Sequence, residues 1–404
     1  MSEYIVHALQ NRRQKIMGEE GPVPLNWMPF VVCSADFASE VSGFRRYRIR
    51  ALELSRMVDA TSEESPLKSF LSSFRGENLA SSAALPEVFS LFVAESIEAW
   101  FDLWKSRSCP PFLDALEAWN RSELGRIFWT CRYRIDMRRR QIMAIWNVTP
   151  DSFSSHCEHD GAASLAHGKR LCDEGADVLD IGAESTRPGA QEVSPETERL
   201  RLEAPLEWAK TQGIPISVDT RHLSTMEWGL SHGLWDIVND VALSSEVTQA
   251  RDGAVFSCVR DYGAGYIAMA YECHEAPVYA LDVCARRIVL QLGKRLDMAW
   301  ALGCDMRQIS VDPGIGFGKG LENDLRLITY APRFLSIFGR PIWIAHSRKR
   351  CLAKATGKPL ESLDEVTAIA SGLSFASGAD GVRVHSPRHT RCALVLSNSL
   401  WERK

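Results

Sequence analysis

The sequence predicts an α/β protein: a (β/α)8 TIM barrel over about residues 141–404, preceded by a mainly helical N-terminal domain. Three observations carry this. Eight short runs rich in Val and Ile recur after residue 141, nearly continuous in apolar residues, as parallel strands buried on both faces must be. Helix-length segments such as ASLAHGKRLCDEGA and NDLRLITYAPRFLSIF, with apolar residues at helical spacing, separate most of them. Polar residues close nearly every run, and in such a barrel the strand C-termini converge on the face that carries chemistry.

The runs are IMAIWN (142–147), DVLDIG (177–182), IPISVD (214–219), WDIVND (235–240), GYIAMA (265–270), ISVDPG (309–314), PIWIAH (341–346) and GVRVH (381–385). Eight βα units in about 260 residues suit a closed barrel. An open doubly wound sheet would show a glycine-rich dinucleotide turn after its first strand, and NVTPDSFS stands there instead. Asn147, Asp180, Asp219, Asn239, Asp312, His346, Arg383 and His385 fall at or just beyond run ends. Asp and Asn could cap the following helices, but an Arg and two His among these residues do not suit that role.

Before residue 141 the texture differs. Segments 66–74, 86–104 and 112–119 are expected to be helical. Ser65 can cap the first, with Pro66 at its first position. On the second, Phe89, Phe92, Val93, Ile97, Trp100, Phe101 and Trp104 form one apolar face. Pro110 and Pro111 break the chain before the third. The predicted division is a helical domain over 1–138, without repeat, metal-ligand spacing or catalytic motif, and a barrel over 139–404.

Composition narrows the function classes. Net charge is −4, with acids and bases balanced in both parts, which excludes wholesale binding to nucleic acid or an acidic membrane. The 11 cysteines are scattered, none in a CxxC pair, and the N-terminal MSEYIVHALQNRRQK lacks a long apolar core. A cytoplasmic setting without a secretory leader is expected. The apolar stretch 88–104 carries Glu95, Glu98 and Asp102, so no membrane span is expected.

Seven motifs follow in order, each at a strand end: NVTPDSFS (147–154), DIGAESTRPGA (180–190), SVDT (217–220), VND (238–240), DPGIGFGK (312–319), SRK (347–349) and VRVH (382–385). The Asn147 amide oxygen can meet a metal or its side chain a phosphate. DPGIGFGK ends in Gly-Lys, yet a phosphate-binding GxxxxGK[ST] loop needs glycine where Pro313 stands and Ser or Thr where Gly320 stands. Nucleoside triphosphate binding is excluded.

Together these motifs resemble the dihydropteroate synthases, the folate-pathway enzymes that sulfonamides target, over about residues 141–400. The resemblance implies a reaction in which p-aminobenzoate displaces pyrophosphate from 6-hydroxymethyl-7,8-dihydropterin pyrophosphate to give 7,8-dihydropteroate. It implies roles as well. Asp219, Asn239, Asp312 and Lys349 would hydrogen-bond the pterin edge, with Met269 against the ring and Arg383 stacked on it. Asn147, Arg187 and His385 would hold the pyrophosphate, and Asn147 its Mg2+. Phe153, Thr186, Pro188, Phe317 and Ser347 would line the p-aminobenzoate pocket, with Lys349 beside them. Catalysis would rest on Asp219, Asp312, Lys349 and Asn147. A homodimer through outer barrel helices is implied too.

Departures from the family pattern fall at three places. SHCEHDGA (155–162) follows the first motif where relatives carry an Asp and paired glycines; its His156, Cys157 and His159 lack a fourth ligand for a metal. Ala270 and Tyr271 follow Met269 where relatives have His and Met, and Ala345 stands in place of a glycine. The segment 1–140 does not match the pathway kinase that is fused to this enzyme in some organisms. Two other readings are a pterin-dependent methyltransferase, which has no use for STRPG, SRK and RVH together, and a pterin-binding barrel without turnover.

Overall fold

The computed structural model describes residues 127–401, apart from 150–160, 185–191, 242–247 and 273–277, together with four strands before residue 127. The chain forms two compact units, Met1–Arg126 with Ser336–Gly339, and Ile127–Leu335 with Arg340–Lys404.

In the first unit, β1 (Tyr4–His7), β2 (Phe30–Ser34), β3 (Phe44–Arg50) and β4 (Val88–Ala94) make an antiparallel sheet in the order β1-β2-β4-β3. Strand β4 corrects an expectation, because Val88–Ala94 lies inside the segment read as a helix over 86–104. VFSLFVA is an apolar run of β-branched, aromatic and small residues with one Leu, broken only by Ser90, and periodicity cannot assign such a run to helix or strand. Pairing on both edges, with β2 and β3, decides for the strand. The expected helices at 66–74 and 112–119 lie outside the described residues.

The second unit opens with a hairpin, β5 (Ile127–Trp129) and β6 (Arg134–Asp136), which precedes the expected boundary at 138/139. The barrel strands follow: β7 (Gln141–Asn147), β8 (Val178–Gly182), β9 (Ile216–Thr220), β10 (Ile237–Asp240), β11 (Gly265–Met269), β12 (Ile309–Asp312), β13 (Trp343–Ile344) and β14 (Gly381–Val384). Their order, β12-β11-β10-β9-β8-β7-β14-β13, is parallel throughout. A parallel bridge from Val311 to Ile342 closes the ring, with the Val311 N–H donating to Pro341 O at 2.9 Å. Nearly every strand residue is buried, as the apolar runs require.

Around the strands lie α1 (Gly161–Asp173), α2 (Pro195–Lys210), α3 (Leu223–Ser231), α4 (Gln249–Tyr262), α5 (Leu281–Ala301), α6 (Leu321–Leu335), α7 (Arg350–Thr356), α8 (Asp364–Ala376) and α9 (Pro387–Trp401). Ser194 caps α2, with Pro195 at its start, and Thr248 caps α4. None of Asn147, Asp180, Asp219, Asn239 and Asp312 appears among the identified α-helix caps, so the capping account of those residues fails where it can be checked.

Alternation along each strand sends every second side chain inward. At the N-terminal end of the barrel, Met143, Val178, Ile237, Ile267 and Trp343 form one cluster with Phe128, Ile135 and Met137 of the hairpin segment. The hairpin thus stoppers the barrel opposite the face that holds the polar residues. Its fit is close: a Cβ on Gly265 would meet Phe128 Cζ at 2.9 Å, and Arg132 bonds Asp236 twice, at 2.6 and 2.8 Å. Three buried indoles use space left by glycines. Added Cβ atoms would come within 2.5 Å of Trp146 from Gly168, 1.9 Å of Trp235 from Gly229, and 2.3 Å of Trp343 from Gly381.

Candidate active site

The register sets the inward polar residues side by side. Asn239 pairs with Asp219, Met269 with Asp312, and Asp180 with Ile145. Arg383 on β14 reaches across to two of the carboxylates, its Nε donating to Asp180 Oδ2 at 2.5 Å and its Nη2 to Asp219 Oδ2. Asn239 Nδ2 donates to the same Asp180 oxygen at 3.3 Å. Asp180 is thus the anchor of the site floor, fully buried and holding both Arg383 and Asn239. Sequence reasoning noted Asp180 at a strand end but gave it no role, although its place at the head of DIGAESTRPGA was a usable signal.

Burial sets the electrostatics. Desolvation pushes the Asp219 carboxyl up to about 6; Arg383 and Lys349 pull it down, and Asp180 and Glu198 push it further up. Asp312 likewise rises to about 6 through burial, against the Gly314 N–H, which donates to its Oδ1 at 2.6 Å, and the charges of Lys349, Lys319 and Arg383. Burial and the nearby Arg383 lower the Lys349 ammonium, while Asp312, Asp324 and Asp219 support it. These mutual influences place Asp219, Asp312, Lys349 and Arg383 within one electrostatic neighbourhood. Among the described residues, Asp219 Oδ1 and Asp180 Oδ1 are buried without a hydrogen-bond partner. An acceptor held in that way favours a ligand that brings donors.

Beyond the strand ends, loops form the rim. Lys349 Nζ lies 4.8 Å from the Phe317 ring centroid. Arg348, between Ser347 and Lys349, takes φ = 52°, a left-handed conformation that costs a non-glycine residue about 1–3 kcal/mol. Its bidentate pair with Asp364, at 2.8 and 2.9 Å, holds it on α8. Ser347 and His385 meet, with Oγ to Nδ1 at 2.8 Å and the His385 N–H donating to Ser347 Oγ at 3.1 Å. Asn147 closes β7 half-buried at the same end. Of the remaining expected site residues, Met269 is buried at the end of β11, while Phe153, Thr186, Arg187 and Pro188 lie outside the described residues.

Two strand-end residues turn away from the site. His346 is buried, its ring bonded to Ile344 O, Thr367 O and Ser371 Oγ at 3.0–3.2 Å, and burial lowers its pKa to about 4. Asp240 follows inward Asn239 and points outward, to Arg251 at 2.8 and 3.0 Å, Arg295 at 2.9 Å and Tyr266 Oη at 2.6 Å. Lys319 does not present its amine as a phosphate-binding lysine would. Its Nζ donates to the Ala270, Gly314 and Phe317 carbonyls at 2.9, 2.9 and 3.2 Å, in line with the exclusion of a nucleotide loop.

Comparison with known proteins gives one consistent result. The family described as pterin binding enzyme matches residues 143–385. Dihydropteroate synthase of Neisseria meningitidis serogroup C is 36% identical over 286 residues, covering 69% of this chain and 99% of that protein. The Xanthomonas albilineans dihydropteroate synthase solved with 4-aminobenzoic acid superposes with a TM-score of 0.61 at 32% identity, over 67% of this chain and 96% of that one. The Burkholderia cenocepacia enzyme complexed with 7,8-dihydropteroate gives 0.59 at 28% identity, over 68% and 96%.

Proposed function

This chain belongs to the pterin-binding enzymes and, among them, to the dihydropteroate synthases, and we infer the following assignment of its residues to that reaction. The p-aminobenzoate amine attacks the pterin methylene; the new C–N bond replaces the bond to pyrophosphate, and the amine loses a proton. The observation that carries the assignment is the floor formed by Asp180, Arg383 and Asp219. Asp219 has one oxygen pinned by Arg383 and the other without a partner among the described residues, so it offers an acceptor to the adjacent N–H donors of a pterin edge. Asn239, Asp312 and Lys349 complete that edge, and Met269 and the Arg383 plane pack against the ring.

The buried carboxylates also favour the positive charge that develops on the pterin methylene as pyrophosphate leaves. Asn147, Arg187 and His385 take the leaving group. The Ser347 bond to His385 Nδ1 fixes the imidazole orientation. Phe153, Thr186, Pro188, Phe317 and Ser347 take the arylamine.

The donor set fits Mg2+. The described residues contain no cluster of three His, Cys, Asp or Glu for a metal, but Asn147 offers a hard amide oxygen at the strand end. Mg2+ commonly keeps several waters and binds through few protein ligands and substrate phosphates. Bound there, it would neutralise charge on the departing pyrophosphate.

A homodimer through α8 and α9 is part of the same reading. It is supported by Ile369, Leu373, Val395, Leu396 and Leu400, which are 52–66% exposed on these neighbouring helices. The cytoplasmic setting is supported by free cysteines such as Cys172, Cys258 and Cys392. Among the described residues no helix is long and apolar enough to cross a membrane. The test of function is direct. Purified protein with pterin pyrophosphate, p-aminobenzoate and Mg2+ should release pyrophosphate and dihydropteroate in equal amounts. Pterin binding without product would instead support a barrel that has lost turnover.

A further inference from the structure

The loop Gly314–Gly320 is tied to the exit of β11 from several sides. The Ala270 N–H donates to Asp312 O at 2.9 Å and the Glu272 N–H to Phe317 O at 3.0 Å. Gly314 and Gly318 have φ of 69° and 79°, and Cβ atoms there would lie 1.7 Å from Ala270 O and 2.3 Å from Glu272 O. Only glycine permits so close an approach. Inside this seam lies the buried Lys319, each of whose three donors has a carbonyl: Ala270 O, Gly314 O and Phe317 O. Its own backbone oxygen accepts from Asn323 Nδ2 at 3.1 Å.

We propose that Lys319 is a positioning residue for the arylamine substrate: its ammonium holds the Phe317 backbone to the β11 exit and so sets the Phe317 ring against Lys349. This rests on the assignment of Phe317 to the p-aminobenzoate pocket. An ammonium has three N–H donors and satisfies all three carbonyls; a neutral amine has two, and turns a lone pair toward the third oxygen. One tie of the loop is then replaced by repulsion between a lone pair and a carbonyl. Burial lowers the Lys319 ammonium to about 8, against the support of Asp324 on α6, Cys284 on α5, Asp312 on β12 and Glu272 beyond β11. The tie therefore holds below about pH 8 and weakens above it.

The experiment follows KM for p-aminobenzoate and the binding of pterin pyrophosphate from pH 7 to 9.5 in the Mg2+-loaded full chain. The expected result is a rise in the p-aminobenzoate KM that begins near pH 8 and approaches about tenfold one unit higher, because the neutral amine then outnumbers the ammonium by about ten to one. Pterin binding stays level over the same range. Lys319→Arg keeps a charge that does not titrate here and should flatten the profile; Lys319→Met, which loses all three ties, should raise the p-aminobenzoate KM at least about tenfold at pH 7 with little change in pterin binding. A flat wild-type profile, or an equal response of both substrates, overturns the proposal even if neither variant folds. A limb retained in a folded Lys319→Arg variant assigns it to another group, such as Lys349, and also overturns it. Absence of dihydropteroate from the wild type at every pH refutes the synthase reading instead.

Discussion

Replacing Asp219 by Asn tests the pterin site most sharply, because the two states of that side chain differ in charge and hardly in shape. In the wild type Oδ2 accepts from Arg383 and the buried Oδ1 has no partner among the described residues. An asparagine would keep its oxygen toward Arg383 and present its NH2 to the pterin edge, donor against donor. Hydrogen bonds to a charged group contribute about 1.5–3 kcal/mol each. Losing two of them corresponds to about 3–6 kcal/mol, or at least a hundredfold in affinity at about 1.4 kcal/mol per tenfold. The fold should survive. Burial raises Asp219 to about 6, so its contribution to stability is full below the ordinary carboxylate range and is lost as pH rises through about 6. A neutral amide removes that loss at pH 7, and Asp180 still holds Arg383. Titration calorimetry with pterin pyrophosphate and thermal unfolding followed by circular dichroism read the two effects apart. Unchanged affinity, or lost affinity only in a protein that no longer melts cooperatively, refutes the reasoning.

Three further outcomes follow from the same structure. Because Asp219 and Asp312 both lie near 6 and the pterin needs their ionised forms, pterin affinity should fall as pH is lowered through about 6 and stay level above 7; calorimetry across that range checks it. A chain starting at Ile127 should fold and bind pterin. One starting at residue 139 loses Phe128 and Ile135 from the core and should be several kcal/mol less stable in urea, since each large buried side chain is worth about 2–5 kcal/mol. Leu396→Glu on the exposed face of α9 should convert a dimer to a monomer by sedimentation while leaving the melting temperature within a few degrees.

The barrel was legible because both faces of its strands are buried, which leaves unbroken Val/Ile runs with polar residues at their ends. The inward set Asp219, Asn239, Asp312 and Arg383 was legible through the motifs around it. Position at a strand end does not determine orientation, however. Asn239 and Asp240 are consecutive, and the two-residue period sends one inward and the other to Arg251 and Arg295. His346 is likewise spent on α8. Lys319 was read as something other than a phosphate lysine, but its three carbonyl partners lie on segments that only the fold brings together. At Val88–Ala94 a helical stripe was drawn through residues that pair on both edges in a sheet, a non-local fact that a local pattern does not contain.

The indole–glycine contacts have a consequence for how this barrel tolerates change. At Gly229 a methyl would enter the Trp235 ring, and at Trp235 a smaller side chain would leave a void beside Gly229. Each single step is costly, at about 1–3 kcal/mol for overpacking and 3–5 for the cavity, while the two together restore much of the fill. Gly168 with Trp146 and Gly381 with Trp343 stand in the same relation. Such positions are epistatic: neither partner drifts alone, and variation should enter them as compensated pairs.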